Sequence, residues 1–491
     1  MALLMGIDIG TSSCKVAVFG ENGNVIASST KDYNVYYPAE GWAEQNPDEW
    51  WISVCLAIKD VLSHKDINAS DIAGIGVDGQ SWSAIPVDRS GDILANTPIW
   101  MDTRSKDICD EVKSQFSGDE IFNLAGNDFL PSYSTPKMLW FKRNYPDIFS
   151  KTKYFLQSNS FIVYKLTGEF SQDLSQVYGI HFFNMNTLEL DGDMAKSLGL
   201  NADLIPPLFS CDKTVGKVTK KASELTGLSE GTPVVAGGLD AACGTLGAGV
   251  INVGQTQEQG GQAGGMSICT GSALSHKKLI LSPHVVPGKW LLQGGTVGGG
   301  GALKWFRQQF MSDFSFDDIT EEARKIKPGS DGVIFLPFMA GERSPLWDPE
   351  AKGVFYGLAF SKSRSHMIRA VLEGTSYALY HNLKVAGQTG AKIDTLRAMG
   401  GAANSELWTQ IKSDVTGRTI EVPASDTATT LGAAILAGIG TGVYQTYEEA
   451  VAKTIKVSKV YKPNTENHEL YEHYMEIYLE LIKSLSPVFH M

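Results

Sequence analysis

A carboxylate followed by a short run of glycine and hydroxyl residues lies close to the amino terminus. Asp8 comes near the end of the apolar run 3–9, and Gly10, Thr11 and Ser12 follow. Main-chain N–H groups in such a turn can point at phosphate oxygens, and the two hydroxyls add donors. Because a carboxylate repels phosphate, we expect Asp8 to hold Mg²⁺, directly or through water. The alternative is an ordinary hairpin in which Asp8 stabilises the turn.

Asp240 is the second candidate for chemistry. It follows a short apolar strand predicted at 233–237 and precedes a helix of small residues predicted at 241–249. A carboxylate at the carboxyl end of a strand can act as a general base that takes a proton from a substrate hydroxyl. The structural alternative is a helix N-cap, where Asp is favoured because it accepts main-chain N–H bonds. The residues around Asp240 leave both roles open.

Glycine is enriched, at 51 of 491 residues against an average near 7%. Much of the excess lies in four stretches: 260–265, 294–295, 298–301 and 400–401. Gly400 and Gly401 follow a strand predicted at 396–399, and a Gly-Gly turn there lets a flat ligand approach the main chain. The sequence has neither G-x-G-x-x-G in a βαβ unit nor G-x-x-x-x-G-K-S/T, so neither common nucleotide-binding loop is used.

The elements that must position these residues alternate between strands and helices. A hairpin is predicted at the amino terminus, with a turn at Asn22-Gly23 that tolerates positive φ. A new glycine-rich strand system begins after Asn252. The pattern predicts an α/β protein of two domains, 1–250 and 251–491.

Composition excludes several classes of protein. With 42 Lys plus Arg against 54 Asp plus Glu, the net charge is −12, which argues against broad binding to nucleic acid or anionic membranes. No apolar run approaches the roughly 20 residues of a membrane helix, and the first residues predict a strand rather than a signal peptide. The six cysteines have no C-x-x-C spacing, so we expect reduced thiols in a cytoplasmic protein.

Two longer stretches resemble the signatures of the FGGY carbohydrate kinases, a family of the actin/hexokinase/Hsp70 ATPase superfold. Residues 132–144 fit the first signature at every constrained position, and residues 353–373 fit the second. Residues 42–50 and 335–345 also resemble the family. With the turns described above, the resemblance extends from residue 6 to about residue 440, nearly the whole chain.

The resemblance implies two RNase H-like, actin-like ATPase domains that flank a central cleft. It implies that 1–250 binds the sugar and supplies the base, that 251–491 binds ATP, and that the γ-phosphate of ATP passes to a sugar hydroxyl with Mg²⁺ present. By position, Asp240 matches the family's general base and Asp8 its metal-associated carboxylate. The positions implied for ATP are Gly10, Thr11, Ser12, Lys15, Gly261, Gln262, Ala263, Gly264, Gly300, Gly400, Gly401 and Asn404.

The second phosphate loop of the family usually reads Gly-Thr-Ser/Thr-Gly. Counting back from residues 287–290 assigns it to 261–264, where the threonine hydroxyl is absent and main-chain N–H groups would contact phosphate. The stretch Thr270-Gly271-Ser272 is closer to the motif by letter but lies about nine residues late, and we rank it second.

The resemblance also suggests where the sugar binds. Gln80, Ser81 and Trp82 occupy the position at which xylulokinase members usually carry Gln-Met-His, and Asp240-Ala241 replaces their usual Asp-Asn. Gln80 is a candidate ligand for a sugar hydroxyl. The Trp82 ring suits the C–H face of a sugar, or alternatively belongs to the core.

A third group implied for the sugar site is Trp100, Asp102 and Arg104, which resemble both xylulokinase and gluconate kinase members. Asp102 could bind hydroxyls, and Arg104 could pair with a sugar carboxylate, which gluconate would require. Alternatively these two residues form a structural ion pair. We expect D-xylulose or a related ketopentose as the acceptor.

Two alternatives remain open from the sequence. One is a gluconate or polyol kinase of the same family, and the other is a non-catalytic ATP-driven binding protein of the same superfold. The expected partners are a small-molecule sugar and ATP, with no nucleic acid or membrane, and the resemblance suggests a homodimer.

Overall fold

The apolar run at the amino terminus forms the centre of a sheet in the computed structural model, which describes residues 2–116, 119–424 and 427–491. The strands of the amino-terminal half are β1 Leu3–Ile9, β2 Ser13–Gly20, β3 Val25–Asp32, β4 Glu44–Gln45, β5 Ile72–Gly79, β6 Ile85–Val87, β7 Thr97–Pro98, β8 Tyr154–Leu156, β9 Gln172–Asp173, β10 Phe183–Asn184, β11 Glu189–Leu190, β12 Leu208–Phe209, β13 Thr214–Lys217, β14 Pro233–Val235 and β15 Gly238–Leu239. Its helices are α1 Pro47–Leu62, α2 Lys106–Gln115, α3 Glu120–Ala125, α4 Ser134–Asn144, α5 Pro146–Lys151, α6 Ser158–Thr167, α7 Gly192–Ser197, α8 Lys220–Thr226 and α9 Asp240–Gly247.

The first seven-stranded sheet has the order β13-β14-β5-β1-β2-β3, with β15 also paired to β5. β1 is antiparallel to β2 and parallel to β5, so the hairpin turn and the carboxyl end of β5 lie at one edge. The predicted turn at Asn22-Gly23 is confirmed, with Gly23 at φ +77°. This topology brings Asp8, the turn after it and residue 80 to the same end of the sheet.

The carboxyl-terminal half repeats the pattern. Its strands are β16 Gln255–Gly260, β17 Gly264–Thr270, β18 Ile280–Pro283, β19 Trp290–Thr296, β20 Ile334–Leu336, β21 Val354–Tyr356, β22 Thr395–Met399, β23 Thr419–Pro423 and β24 Val457–Tyr461. Its helices are α10 Gly300–Phe310, α11 Phe316–Arg324, α12 Arg364–Gly387, α13 Glu406–Thr416, α14 Ala428–Gly440, α15 Tyr447–Thr454 and α16 Thr465–Phe489. The second seven-stranded sheet has the order β18-β19-β17-β16-β22-β23-β24.

Helix α14 packs on the sheet of the other half, where glycines allow a close approach. A Cβ on Gly6 of β1 would lie 1.9 Å from the carbonyl oxygen of Thr430, and one on Gly76 of β5 would lie 1.9 Å from that of Ala433. Gly247 of α9 contacts the start of α14 in the same way: a Cβ at this position would lie 1.8 Å from the carbonyl oxygen of Ala428. These glycines therefore serve helix packing rather than ligand binding.

The predicted two-domain α/β architecture is confirmed. The carboxyl-terminal helix α16 packs one face on the protein, and the buried residues of that face are Tyr471, Met475, Tyr478 and Ile482. All six cysteines are free thiols, and Cys55 alone among them is not fully buried. Within the described residues, no helix is long and apolar enough to cross a membrane.

Candidate active site

A cleft of about 920 Å³, the main cleft, opens between the ends of the two sheets. Both halves line it; the lining residues include Thr11, Ser81, Trp82, Trp100, Tyr133, Tyr178, Asp240, Gln257, Gln259, Gly261, Gln262, Ala263, Gly264, Gln293, Gly295, Arg343 and Trp347. A second space of about 290 Å³, the inner recess, is lined by Asp8, Gly10, Asp240, Ala241, Gly244, Gln257, Gln259, Met399, Gly400, Ala428 and Thr429. Asp240 lines both spaces, so its carboxylate stands where they meet.

Asp240 is the first residue of α9, and Leu239 occupies the N-cap position. The N-cap alternative therefore does not describe Asp240; its Oδ1 accepts a 2.6 Å hydrogen bond from the N–H of Ala241. Burial, with a smaller contribution from the charge of Asp8, raises the pKa of Asp240 to about 7. A carboxylate with a pKa near neutrality can accept a proton in one step and release it in the next.

Asp8 lies one residue before the end of β1, opposite Lys15 in the hairpin and beside Asp78 of the parallel strand β5. Burial raises the pKa of Asp8, while hydrogen bonding to Asp78 and the charge of Lys15 lower it. Among the described residues, no group of three or more His, Cys, Asp or Glu side chains is arranged to hold a metal ion. A single half-buried carboxylate on the recess fits Mg²⁺, which takes one or two carboxylates and completes its shell with water and phosphate oxygens.

Asp78 is a third carboxyl group at this edge, and the sequence analysis missed it. It is fully buried, and neither oxygen has a hydrogen-bond partner of normal geometry in the described part of the chain. Burial, then the negative charges of Asp8 and Asp240, raise its pKa well above the ordinary value. The signal in the sequence that could have revealed it is a single Asp inside the otherwise apolar strand β5.

The turn between β1 and β2 is fixed by neighbouring side chains. Tyr33 donates to the carbonyl of Gly10 at 2.5 Å, and Gln45 donates to that of Thr11 at 2.8 Å. Trp100 Nε1 donates to Thr11 Oγ1 at 3.0 Å. Thr11 faces the main cleft and Gly10 the inner recess, whereas Ser12 is exposed at the tip of the turn.

The turn between β16 and β17 holds residues 261–264, and all four line the main cleft. The start of α10 supports it from behind: the N–H of Gly300 donates to the carbonyl of Gly261 at 2.7 Å, and that of Gly301 to the carbonyl of Gln262 at 2.9 Å. Thr270 is at the opposite end of β17, roughly 20 Å away at 3.3 Å per residue. The first-ranked loop, and not 270–272, therefore faces the cleft.

Gly400 follows β22 at φ +84°, a conformation that favours glycine, and lines the inner recess. A 3₁₀ helix, Gly401–Asn404, continues from it, and both of its end residues are exposed. The main chain after β22 is thus open to a ligand in the recess.

An aromatic wall forms the amino-terminal side of the main cleft. The Trp82 ring centre lies 4.2 Å from that of Tyr133 and 5.3 Å from that of Tyr178. Tyr178 donates to Ser81 Oγ at 2.6 Å. Trp82 adopts φ +60°, a strained conformation for a bulky residue that is seen mainly at functional sites. The two tyrosines were not foreseen, because they come from distant segments.

Three predicted sugar-site residues are engaged elsewhere. Gln80 is buried, and its Nε2 donates to Gln45 Oε1 at 2.8 Å. Arg104 pairs with Asp102 and Glu44, each at 2.8 Å, and its guanidinium lies 3.9 Å from the ring centre of Trp42. The structure therefore favours the ion-pair interpretation of Asp102 and Arg104.

The carboxyl-terminal wall was largely missed. Gln257 and Gln259 of β16, Gln293 of β19 and Arg343 of the segment after β20 all line the main cleft. The signal for the first two was the alternation Gln-x-Gln-x-Gln over residues 255–259, which directs polar side chains to one face of a strand.

Comparison with known proteins gives consistent matches along the chain. The model of the N-terminal domain of the FGGY family of carbohydrate kinases matches residues 3–247, and that of its C-terminal domain matches residues 265–441. A xylulose kinase of Staphylococcus epidermidis is 32% identical over 483 residues, covering 98% of this chain and 96% of the relative. A gluconokinase of Bacillus licheniformis is 29% identical over 495 residues, covering 98% and 96%. The crystal structure of xylulose kinase from Rhodospirillum rubrum is similar with a TM-score of 0.93 at 26% identity, covering 100% of both chains.

Proposed function

The chain belongs to the FGGY family of carbohydrate kinases, and from that premise we propose that it transfers the γ-phosphate of ATP to a hydroxyl of D-xylulose or a related ketopentose. One observation carries the mechanism: Asp240 lines both the main cleft and the inner recess. A sugar hydroxyl in the main cleft and a phosphate reached through the recess would meet at this carboxylate.

Asp240 is the general base of the proposal. It takes the proton of the sugar hydroxyl as that oxygen attacks the γ-phosphorus, and the bond from phosphorus to the bridging oxygen breaks to release ADP. Its pKa of about 7 matches the task, because a base is most effective when its pKa is near the working pH. Phosphoryl transfer otherwise needs positioning and charge stabilisation rather than covalent help.

Main-chain N–H groups supply the charge stabilisation that this chain offers. From opposite halves, Thr11 and residues 261–264 line the main cleft, while Gly10 and Gly400 line the inner recess beside it. Asp8 would hold Mg²⁺, which when bound neutralises phosphate charge. Lys15, opposite Asp8 in the hairpin, adds a positive charge at this edge.

The acceptor is assigned to the ketopentoses because Trp82 and the two tyrosines offer apolar faces to C–H groups, and the glutamines opposite offer amides to hydroxyls. Xylulose kinases among the relatives support the same choice. Gluconate is the second candidate, since Arg343 puts a cation in the main cleft and a gluconokinase is also similar.

The finer assignments belong to the same proposal. We assign sugar binding and the base to residues 1–250 and ATP binding mainly to 251–491. A cytoplasmic location and a homodimer, expected from the cysteines and from the family, complete it.

The test is release of ADP by the purified protein with D-xylulose, D-ribulose, D-gluconate, erythritol or glycerol as acceptor. We expect the highest kcat/KM with D-xylulose, together with a sugar phosphate detected by mass spectrometry. Preference for gluconate would replace the ketopentose assignment by the second candidate. ADP release that is equal with and without every acceptor would refute the sugar kinase activity.

A further inference from the structure

Arg343 stands out among the residues that line the main cleft. Among the described lining residues, only Asp240 and Arg343 carry a formal charge. Arg343 comes from the carboxyl-terminal half and lines the same cleft as Tyr133 and Tyr178 of the aromatic wall.

The main chain around Arg343 is held firmly in place. Glu342 Oε1 accepts hydrogen bonds from the N–H groups of Val297 at 2.8 Å and of Arg343 at 2.7 Å. Ser344 Oγ accepts from the N–H of Gly295 at 2.6 Å and donates to its carbonyl at 3.2 Å. These hydrogen bonds fix the main chain at residues 342–344 to β19 and to Val297, which follows β19.

The guanidinium itself lies against strand backbone next to the β16–β17 turn. A Cβ on Gly295 would lie 2.2 Å from Arg343 Nη2, so a side chain at that position would displace the guanidinium. Gly295 pairs with Gly265, the residue after the turn 261–264. In the described part of the chain, no hydrogen bond or salt bridge engages the Arg343 guanidinium, although that of Arg104 is fully engaged.

We propose that Arg343 is the oxyanion-binding residue of the main cleft. A planar guanidinium can bind a carboxylate or a phosphoryl group through two parallel hydrogen bonds. Here the main chain is fixed, the guanidinium donors are free, and glycines leave an open surface beside the turn at 261–264. This inference rests on the proposed function and names the residue that binds the negatively charged group of the substrate or product.

Two sources of the oxyanion share this chemistry. One is the phosphoryl group after transfer, so that Arg343 stabilises charge on the product side of the reaction. The other is the carboxylate of an aldonate acceptor, so that Arg343 decides between acids and neutral ketoses. A binding assay without ATP distinguishes them, because it does not require turnover.

The experiment titrates D-xylulose, D-xylulose 5-phosphate and D-gluconate into wild type, Arg343→Gln and Arg343→Lys, followed by tryptophan fluorescence and calorimetry. For Arg343→Gln we expect about a tenfold or greater loss of affinity for one anion, as for a lost charge-assisted hydrogen bond, with less than a threefold change for D-xylulose. Loss for the sugar phosphate identifies the transferred group, and loss for gluconate identifies the acceptor carboxylate. Lys at 343 should retain part of the affinity.

Gly295→Ala is the second variant, because it keeps the charge but displaces the guanidinium, and it should weaken the same anion. Arg89→Gln, the same change at an exposed turn, should change nothing. The inference is overturned if wild type binds neither anion, if Arg343→Gln binds both within twofold of wild type, or if the neutral ketose weakens equally. Failure of the kinase activity itself would appear separately, as absent ADP release by wild type.

Discussion

The hairpins β1–β2 and β16–β17 have the same construction in the two halves. Each pairs its first strand in parallel with a later strand, β5 or β22, so that a turn and a strand end meet at one edge. Asp8 and Gln259 occupy the same place, one residue before the end of the first strand, and both line the inner recess. Their parallel neighbours are Asp78 and Met399.

The chemistry of the two edges nevertheless differs. The amino-terminal edge carries ionisable groups: burial raises the pKa values of Asp8, Asp78 and Asp240, and the negative charge of Asp8 adds to the rise at Asp78 and Asp240. At the carboxyl-terminal edge the position that matches Asp8 holds an uncharged amide, Gln259, next to a glycine-rich turn. One backbone plan thus places ionisable carboxyl groups at one edge and uncharged side chains at the matching positions of the other.

The largest effect should come from removing the base. Asp240→Asn keeps the size of the side chain but cannot accept the hydroxyl proton, so kcat should fall by about 10²–10⁴-fold. The affinity for ATP, measured by calorimetry, should stay within threefold. More than a tenth of wild-type turnover would contradict the role of Asp240 and with it the proposed division between the two edges.

The paired positions Asp8 and Gln259 test the comparison directly. Asp8→Asn should lower kcat by roughly 10- to 100-fold and raise the Mg²⁺ concentration for half-maximal rate, as loss of a group that orients a metal does. Because the charge of Asp8 raises the pKa of Asp240, the rise of kcat/KM with pH should shift to lower pH. Gln259→Ala, the matched control, should leave both the Mg²⁺ requirement and the pH profile unchanged. Equal effects of the two changes would show that the edges are not specialised.

The amino-terminal wall of the main cleft is aromatic, and a substitution of Lys137 tests how that wall is held in place. This fully buried lysine donates to the carbonyls of Trp82 and Ile99 at 2.8 Å each, and burial lowers its pKa to about 7. It thereby holds Trp82 in its strained conformation and orients the chain leading into Trp100. Lys137→Met should raise KM for the sugar about tenfold, because two buried carbonyls lose a partner at roughly 1–3 kcal/mol each.

The KM for ATP distinguishes a displaced aromatic wall from a general loss of structure in Lys137→Met. It should stay within twofold in Lys137→Met, since the partners of this lysine are Trp82 and Ile99 and not the turn at 261–264 to which ATP is assigned. Lys142→Met, on the exposed face of the same helix, is the matched control. Parallel increases of both KM values would indicate loss of structure rather than loss of the aromatic wall.

Local patterns made much of the fold predictable. The apolar run 3–9, the Asn22-Gly23 turn and the glycine-rich turns depend on neighbours in sequence, and the structure has them where they were expected. Asp240 could be singled out because it follows directly from a predicted strand, whereas Trp82 was singled out by the resemblance to the family at residues 80–82.

Contacts between distant segments explain what the sequence did not reveal. Arg104 could equally have paired with a ligand, and only the fold shows that Glu44 and Asp102 take its donors. Tyr178 and Arg343 reach the cleft from segments 165 residues apart; residues 335–345 resemble the family, but nothing in that stretch indicated that Arg343 would line the cleft. The glycines at 6 and 76 serve the packing of α14, a contact between distant segments that only the fold shows.

The smallest predicted effect concerns stability, and it separates the charged edge from the neutral one. Because the pKa of Asp240 is raised from 3.8 to about 7 in the folded state, folding favours its protonated form. The stability that this provides is present below pH 4 and is lost as the pH rises through 7. Asp240→Asn cannot ionise, so its melting temperature should gain on wild type between pH 5 and pH 8, by roughly 1–2 °C for each kcal/mol in a chain of this length. Gln259→Ala should show a constant difference across the same range, and a gain for Asp240→Asn that shrinks with rising pH would contradict the buried charge at this edge.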